Sequence, residues 1–353
     1  MIQGNKAYLP SFAAITDQLL SCRNQEQTVY IYPHINADGD ALGAGLGLAQ
    51  LLKQCSVQAV VLTSEPLPSK LSFLPGREFI RVYDPDETGA SREVTARQTI
   101  ALAIDCAAGD RLGQRQALFE ACPRQIIIDH HISKLPPSPT TLVNTKAAAV
   151  CEIVAFLADY LESRLGMNLL DLEIATCLMT GLMTDTGRFS FSSTTARTFE
   201  AAATLMRYPI DTNELSGRLF DIITPAKLRY TGEAAQRAEF YYDGRLIIAD
   251  LPHSLMQQIG GEDTDLEGLA SMLRDVDGVE VAVLLREMTD GEIRGNVRSG
   301  EHFDSSAFAQ AFGGGGHLRA SGFTLRGQQL SEARQTVIQK AGEVLSQLGN
   351  QGA

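Results

Sequence analysis

The sequence predicts an α/β fold: a doubly wound, mostly parallel sheet followed by a smaller α+β domain. Three observations carry this. Through about residue 210, short β-branched runs alternate with helix-like stretches, the rhythm of βαβ units. Beyond about residue 238 that rhythm gives way to hairpin-like pairs with Asp-Gly turns. Several apolar runs of the first part end in acids, and a parallel sheet collects such strand ends along one edge.

Taken in order, 28–32 is a β-branched and aromatic run and reads as the first strand, and 41–53, rich in small residues and Leu, as a helix. Strands follow at 57–62, 99–104 and 125–128, apolar throughout as buried parallel strands are. Helical patterns occupy 147–165 and 170–185, while 64–98, rich in Pro, Gly and charge, resists assignment. A polar helical connector is expected at 211–237. Then 239–249 reads as a hairpin turning at Asp243-Gly244, and 279–286 with 292–297 as a second pair turning at Asp290-Gly291. Helices are expected at 263–275, 304–311 and 330–347. The domains expected are therefore 1–210 and 238–353, joined by 211–237, with the active site in the cleft between them.

Composition narrows the function. Hydrophobic residues make up 44% and charged ones 20%, ordinary for a globular protein. Neither a signal peptide nor an apolar stretch long enough to span a membrane is visible, so no membrane partner is expected. The six cysteines are scattered without a C-x-x-C pair, which predicts buried free thiols and a cytoplasmic location. A net charge of −12 without a basic stripe argues against tracking long duplex nucleic acid. Any phosphorylated ligand must meet local positive charge, from bound cations and a few arginines.

The chemistry concentrates at strand ends. The first strand runs into Pro33-His34-Ile35-Asn36-Ala37-Asp38-Gly39-Asp40, another ends in Ile104-Asp105, and a third in Asp129-His130-His131. Asp185 closes an apolar helical run, where an unpaired charge would be costly. Carboxylates crowded at one edge must keep protons or share cations. Carboxylate and imidazole without thiolate suit Mn²⁺, Mg²⁺ or Fe²⁺. Asp38-Gly39-Asp40 alone would pass for a polar turn, and it lacks the acid spacing of a calcium-binding EF-hand loop. The glycines Gly43, Gly45 and Gly47 do not have dinucleotide-fingerprint spacing and read as close helix packing.

A second cluster is Gly313-Gly314-Gly315-Gly316-His317, whose glycines let backbone N–H groups approach an anion. Upstream, Arg298 and Ser299 end a strand and could reach a phosphate, whereas Arg294 reads as plain surface charge.

Together these residues resemble the DHH phosphoesterase family, named for the motif present as Asp129-His130-His131, with a C-terminal domain similar to DHHA1. The resemblance covers nearly the whole chain and is greatest to the NrnA-type branch, which acts as oligoribonuclease (nanoRNase) and as phosphatase on adenosine 3′,5′-bisphosphate (pAp). It implies two divalent ions, Mn²⁺ first and Mg²⁺ or Fe²⁺ as alternatives. His34 and Asp38 would hold one ion, Asp40, His130 and Asp185 the other, and Asp105 would bridge them. His131 would face the substrate phosphate, and Asp129 would orient a neighbouring histidine. Arg298, Ser299 and His317 would contact the substrate, and Gly314, Gly315 and Gly316 would let it approach. The implied reaction is hydrolysis of short RNA or DNA oligonucleotides, dinucleotides or pAp by two-metal water activation.

Four rivals are weighed. An inorganic pyrophosphatase of the same superfamily closes on its substrate with a Lys/Arg-rich segment not seen here. Cyclic-dinucleotide phosphodiesterases usually carry membrane or sensory domains, and a RecJ-like exonuclease a longer chain. A non-catalytic nucleotide-binding regulator would not need intact metal ligands. Cleavage polarity and oligomeric state, a homodimer included, stay open.

Overall fold

The computed structural model describes residues 8–23, 27–107, 109–133, 135–136 and 138–349. The chain divides into two compact units, Met1–Ile222 and Ile223–Ala353.

In the first unit the strands are β1 (Thr28–Pro33), β2 (Gln58–Thr63), β3 (Ile80–Val82), β4 (Gln98–Ile104), β5 (Gln125–Asp129) and β6 (Thr141–Val143). They form one sheet in the order β3-β2-β1-β4-β5-β6, with every pairing parallel. The helices are α1 (Leu9–Leu20), α2 (Gly39–Gln54), α3 (Ala90–Arg97), α4 (Gln116–Ala121), α5 (Val150–Leu165), α6 (Leu172–Asp185), α7 (Ala196–Leu205) and α8 (Thr212–Ser216).

Strand β1 is buried on both faces, and its side chains alternate between two cores. Val29 and Ile31 pack with residues of α1, α2, α5 and α6, and Tyr30 and Tyr32 with residues of α3 and α4. That two-sided cover is the doubly wound arrangement expected from sequence. The unassigned stretch 64–98 resolves into 3-10 turns, the short edge strand β3 and α3. Strands β3 and β6 are three residues each, too short to leave a readable period.

Glycines set the distance between α2 and α6. A Cβ on Gly43 would overlap the carbonyl of Cys177, and one on Gly47 would come 2.9 Å from Leu178. A Cβ on Gly181 would lie 2.6 Å from an Asp40 carboxylate oxygen. Only glycine lets these helices approach closely enough to bring Asp40 and Asp185 together.

The second unit holds α9 (Pro225–Gln236), β7 (Glu239–Tyr241), β8 (Leu246–Leu251), α10 (His253–Ile259), α11 (Leu269–Arg274), β9 (Val281–Glu287), β10 (Ile293–Ser299), α12 (Ser305–Gln310), β11 (Gly315–His317), β12 (Ala320–Leu325) and α13 (Leu330–Gly349). Its sheet runs β11-β12-β10-β9-β8-β7. Both expected hairpins form, β7–β8 and β9–β10. The sheet is mixed, because β8 and β9 pair in parallel through the crossover carrying α10 and α11. Residues 211–237 carry α8, a short π-helical segment and α9. No helix among the described residues is long and apolar enough to cross a membrane.

Candidate metal centre

Strands β1 and β4 flank the point where the sheet order reverses, and side chains beyond their C-terminal ends face the crevice that such a reversal leaves. His34 follows β1 directly, with Nδ1 2.6 Å from the carbonyl oxygen of Ile35. Its Nε2 faces Asp38 Oδ2 at 3.9 Å and Asp105 Oδ2 at 3.3 Å. Asp38 is the N-cap of α2: its Oδ1 accepts from the N–H groups of Asp40 and Ala41, both at 3.0 Å. Its side chain remains 55% exposed, so one carboxylate oxygen caps the helix and the other stays available.

Asp105 follows β4 and is buried, with φ at 56°. A non-glycine residue in the left-handed region is costly except for Asn and Asp, which tolerate it best. The turn drives the carboxylate into a ring of histidines. Oδ2 meets His34, while Oδ1 lies 3.4 Å from His130 Nε2 and 3.3 Å from His131 Nδ1. Burial alone would raise its pKa, but the three histidines outweigh that and hold the carboxyl well below the usual range.

His130 sets Nδ1 3.2 Å from the carbonyl of Ala147 and points Nε2 at Asp105 and, at 3.3 Å, at Asp185 Oδ2. A backbone carbonyl on Nδ1 leaves Nε2 as the ligating nitrogen. Asp129 works differently. It is buried, and its Oδ1 accepts from the backbone N–H groups of His130 (2.7 Å) and His131 (3.1 Å) and from the His131 ring at 2.9 Å. Asp129 thus fixes the His131 imidazole, which stays half exposed.

Asp40 is fully buried, and its carboxylate accepts from the N–H groups of Val150 and Cys151 at the start of α5. Desolvation and the Asp105 charge push its pKa up to about 7. Burial and the nearby Asp40, Asp38 and Asp105 raise Asp185 to about 9. Without cations, then, the cluster holds protons on acids that would ordinarily be ionised.

The donor atoms fall into three groups, each within 4.8 Å: His34, Asp38 and Asp105; Asp40, His130 and Asp185; and Asp105, His130 and His131. Nε2 of His34, Nε2 of His130 and Oδ1 of Asp105 are buried without a hydrogen-bond partner, although the pairs stand only 3.3–3.4 Å apart. Close spacing with angles that make no hydrogen bond suits atoms turned toward a common cation. Two ligands about 2.1 Å from an ion at right angles stand about 3 Å apart. The residues therefore fit a pair of hard divalent ions. Cys151 is also near, with Sγ 3.6 Å from the Asp40 carbonyl, but burial holds its thiol protonated well above the ordinary range.

In the second unit the glycine run is not a slack linker. Gly315–His317 form β11, paired with β12. A Cβ on Gly314 would overlap the backbone of Gly322, and Gly316 has φ at 146° and would bring a Cβ to 2.6 Å from the Ala320 carbonyl. Gly315 and His317 are exposed. Arg298 is half-buried and makes its hydrogen bond to the Val297 carbonyl at 2.9 Å. Ser299 differs from expectation: it is buried, and its hydroxyl donates to the Phe303 carbonyl at 2.6 Å. In this structure it braces the turn after β10, with its donor already engaged.

Two supporting residues were not singled out from sequence. Arg115 is fully buried; its guanidinium donates to the Leu62 carbonyl and, at 2.9 Å, to that of Pro33, tying the ends of β1 and β2 together. Glu152, also fully buried, accepts from the Thr198 hydroxyl at 2.8 Å and from the Ala148 N–H at 3.4 Å, which steadies the loop that carries Ala147 under His130. A lone charged residue ordinarily reads as surface, so neither leaves a sequence signal.

Comparison with known proteins gives a consistent picture. The model of the DHH family, N-terminal domain, matches residues 28–182, and that of the DHHA1 domain residues 243–343. A bifunctional oligoribonuclease and PAP phosphatase, NrnA, of Thermus thermophilus is 32% identical over 325 residues, 92% of each chain. Its namesake of Bacillus subtilis is 27% identical over 84% of this chain and 89% of that one. Among solved structures, an exopolyphosphatase-related protein from Bacteroides fragilis superposes with a TM-score of 0.78 at 24% identity, covering 95% of this chain and 96% of that one.

Proposed function

The chain belongs to the DHH phosphoesterase family and carries its DHHA1 domain, and on that footing we propose that it hydrolyses short oligoribonucleotides and adenosine 3′,5′-bisphosphate. The observation that carries the reading is Asp105, one buried carboxylate whose two oxygens face His34 on one side and His130 on the other. His34, Asp38 and Asp105 would hold one divalent ion, and Asp40, His130, Asp185 and Asp105 the second. Mn²⁺ is the ion we propose, on the mixed imidazole and carboxylate donors. Such a pair supplies water activation near neutral pH and neutralises charge on the phosphoryl group.

The chain's own residues do the rest. The Asp105 carboxylate at 3.3 Å and a hydrogen bond to Asp129 raise His131 to about 10 in the cation-free cluster, and its ring stays half exposed there. An imidazolium placed there stabilises negative charge that develops on phosphoryl oxygens. Asp129 holds that ring in place through Oδ1. Arg298, His317 and the backbone of Gly314, Gly315 and Gly316 are proposed to hold the other end of the substrate, with Ser299 bracing the turn beneath. Few phosphates need neutralising in so short a ligand, which suits a chain of net charge −12. Its six buried free thiols suit work in the cytoplasm.

The test is a rate comparison with purified protein and Mn²⁺ on pAp, a ladder of two- to five-nucleotide RNAs, a cyclic dinucleotide and pyrophosphate. The reading requires pAp and the short RNAs to lead. A preference for the cyclic dinucleotide or pyrophosphate replaces it.

A further inference from the structure

A cavity of about 620 Å³ opens in the second unit against Arg286, Arg294, Arg326, Phe312 and Gly314. Arg294, expected to be plain surface charge, lines it from β10. Arg286 lies directly across from it on β9, so two like charges are register partners. Such pairs are destabilising unless an anion joins them. Arg286 is only 12% exposed, and its Nε has no hydrogen-bond partner. Its ion pair is a 3.4 Å contact with the largely exposed Asp263. Arg326 meets Glu292 at 2.6 Å, and Arg294 has no ion-pair partner among the described residues. Positive charge here exceeds the nearby negative charge, in a chain that is acidic as a whole.

Arg298 lies on the same strand face four residues on, about 13 Å away along β10. Arg294 and Arg298 line different cavities, and Arg286 borders both. Resting on the function proposed above, we propose that the Arg286–Arg294–Arg326 pocket is a second anion subsite, which holds a backbone phosphate of an oligoribonucleotide beyond the two that pAp carries. The pocket would make the enzyme favour oligonucleotides by affinity, separately from the reacting phosphate.

Arg294→Ala removes an exposed side chain and leaves the partly buried Arg286 in place, and Arg294→Lys keeps the charge. The ratio of kcat/KM for a pentaribonucleotide to that for pAp should fall about tenfold in Arg294→Ala and recover most of the way in Arg294→Lys. A ratio unchanged in Arg294→Ala, including a parallel loss on both substrates, overturns the proposal. Binding of a labelled pentaribonucleotide to metal-free protein gives a readout independent of hydrolysis. In Arg294→Ala the slope of log affinity against log salt should shrink by about 0.7, the share of one phosphate on a single strand. An unchanged slope counts against the subsite. If wild type hydrolyses neither substrate but the slope shrinks, the phosphoesterase reading fails and the subsite stands. Were the pocket a seat for free phosphate, Arg294→Ala would abolish a thermal shift given by inorganic phosphate without moving the substrate ratio, and the proposal would fall.

Discussion

Asp40 caps a helix that starts 110 residues later: its carboxylate accepts from Val150 N–H at 2.5 Å and from Cys151 N–H at 2.9 Å. The same side chain stands in the group with His130 and Asp185. A carboxylate at a helix N-terminus satisfies orphan donors and complements the dipole. Asp40→Ala should therefore cost about 1–2 kcal/mol of stability even in EDTA. Thermal melts of the metal-stripped variant check this; an unchanged Tm would mean the cap contributes nothing.

Asp105→Asn separates charge from conformation. Asn tolerates the left-handed backbone at 105, so the fold should survive. Loss of the shared carboxylate should cut turnover on the order of 10³-fold, several kcal/mol of lost electrostatic stabilisation. Circular dichroism with Mn²⁺-dependent kinetics reads both. Turnover like wild type would sink the bridging role.

Asp129→Ala should lower kcat 10- to 100-fold while metal content holds, because Asp129 acts through the His131 ring. Metal analysis beside kinetics distinguishes the cases. A stoichiometric loss of metal would make Asp129 a ligand instead.

Stability should depend on pH through the unmetallated cluster. Burial pulls His130 down, but Asp105, Asp40 and Asp185 raise it to about 9, and Asp105 and Asp129 raise His131 to about 10. Asp185 stands at about 9. The folded state thus binds more protons than the unfolded chain from about pH 4 through Asp185, and further above pH ~6.5, the ordinary histidine value, through His130 and His131. Its stability falls as pH rises toward 9. Metal binding must displace these protons, so the Tm gain from Mn²⁺ should grow over the same window. Melts with EDTA and with Mn²⁺ at pH 6.5, 7.5 and 8.5 check both slopes, and a pH-independent gain contradicts the assignment.

Gly181→Ala would place a methyl 2.6 Å from an Asp40 carboxylate oxygen and against the Cys151 sulfur. Overpacking of this kind costs about 1–3 kcal/mol. Mn²⁺ affinity should weaken too, as Asp40 is displaced. Isothermal titration on the folded variant is the check; undiminished affinity would show that α6 yields without moving the acid.

Much of this was legible in the sequence because it rests on period and position. Buried strands leave unbroken apolar runs, and acids at their ends stand out, so β1, β4, β5 and the residues His34, Asp105 and Asp129 could be placed together before any coordinates. Arg115 and Glu152 left no trace, since burial of a charge depends on distant backbone partners such as Leu62 and Ala148. Ser299 misled for a related reason: a hydroxyl beside an arginine suggests a phosphate contact, and only the fold shows its donor already bound to Phe303. The parallel β8–β9 pairing was hidden because two hairpin signals say nothing about how the hairpins join.

The clustered ligand atoms run from His34 to Asp185 and, among the described residues, all belong to the first unit. No shorter N-terminal fragment contains the set. During synthesis the chain therefore gains its binding competence only once the segment through α6 has emerged and packed on α2. From that point each ion captured would add free energy to the folded state alone. Metal capture would thereby depend on the packing of α6 against α2, and would not wait for the strands of the second unit.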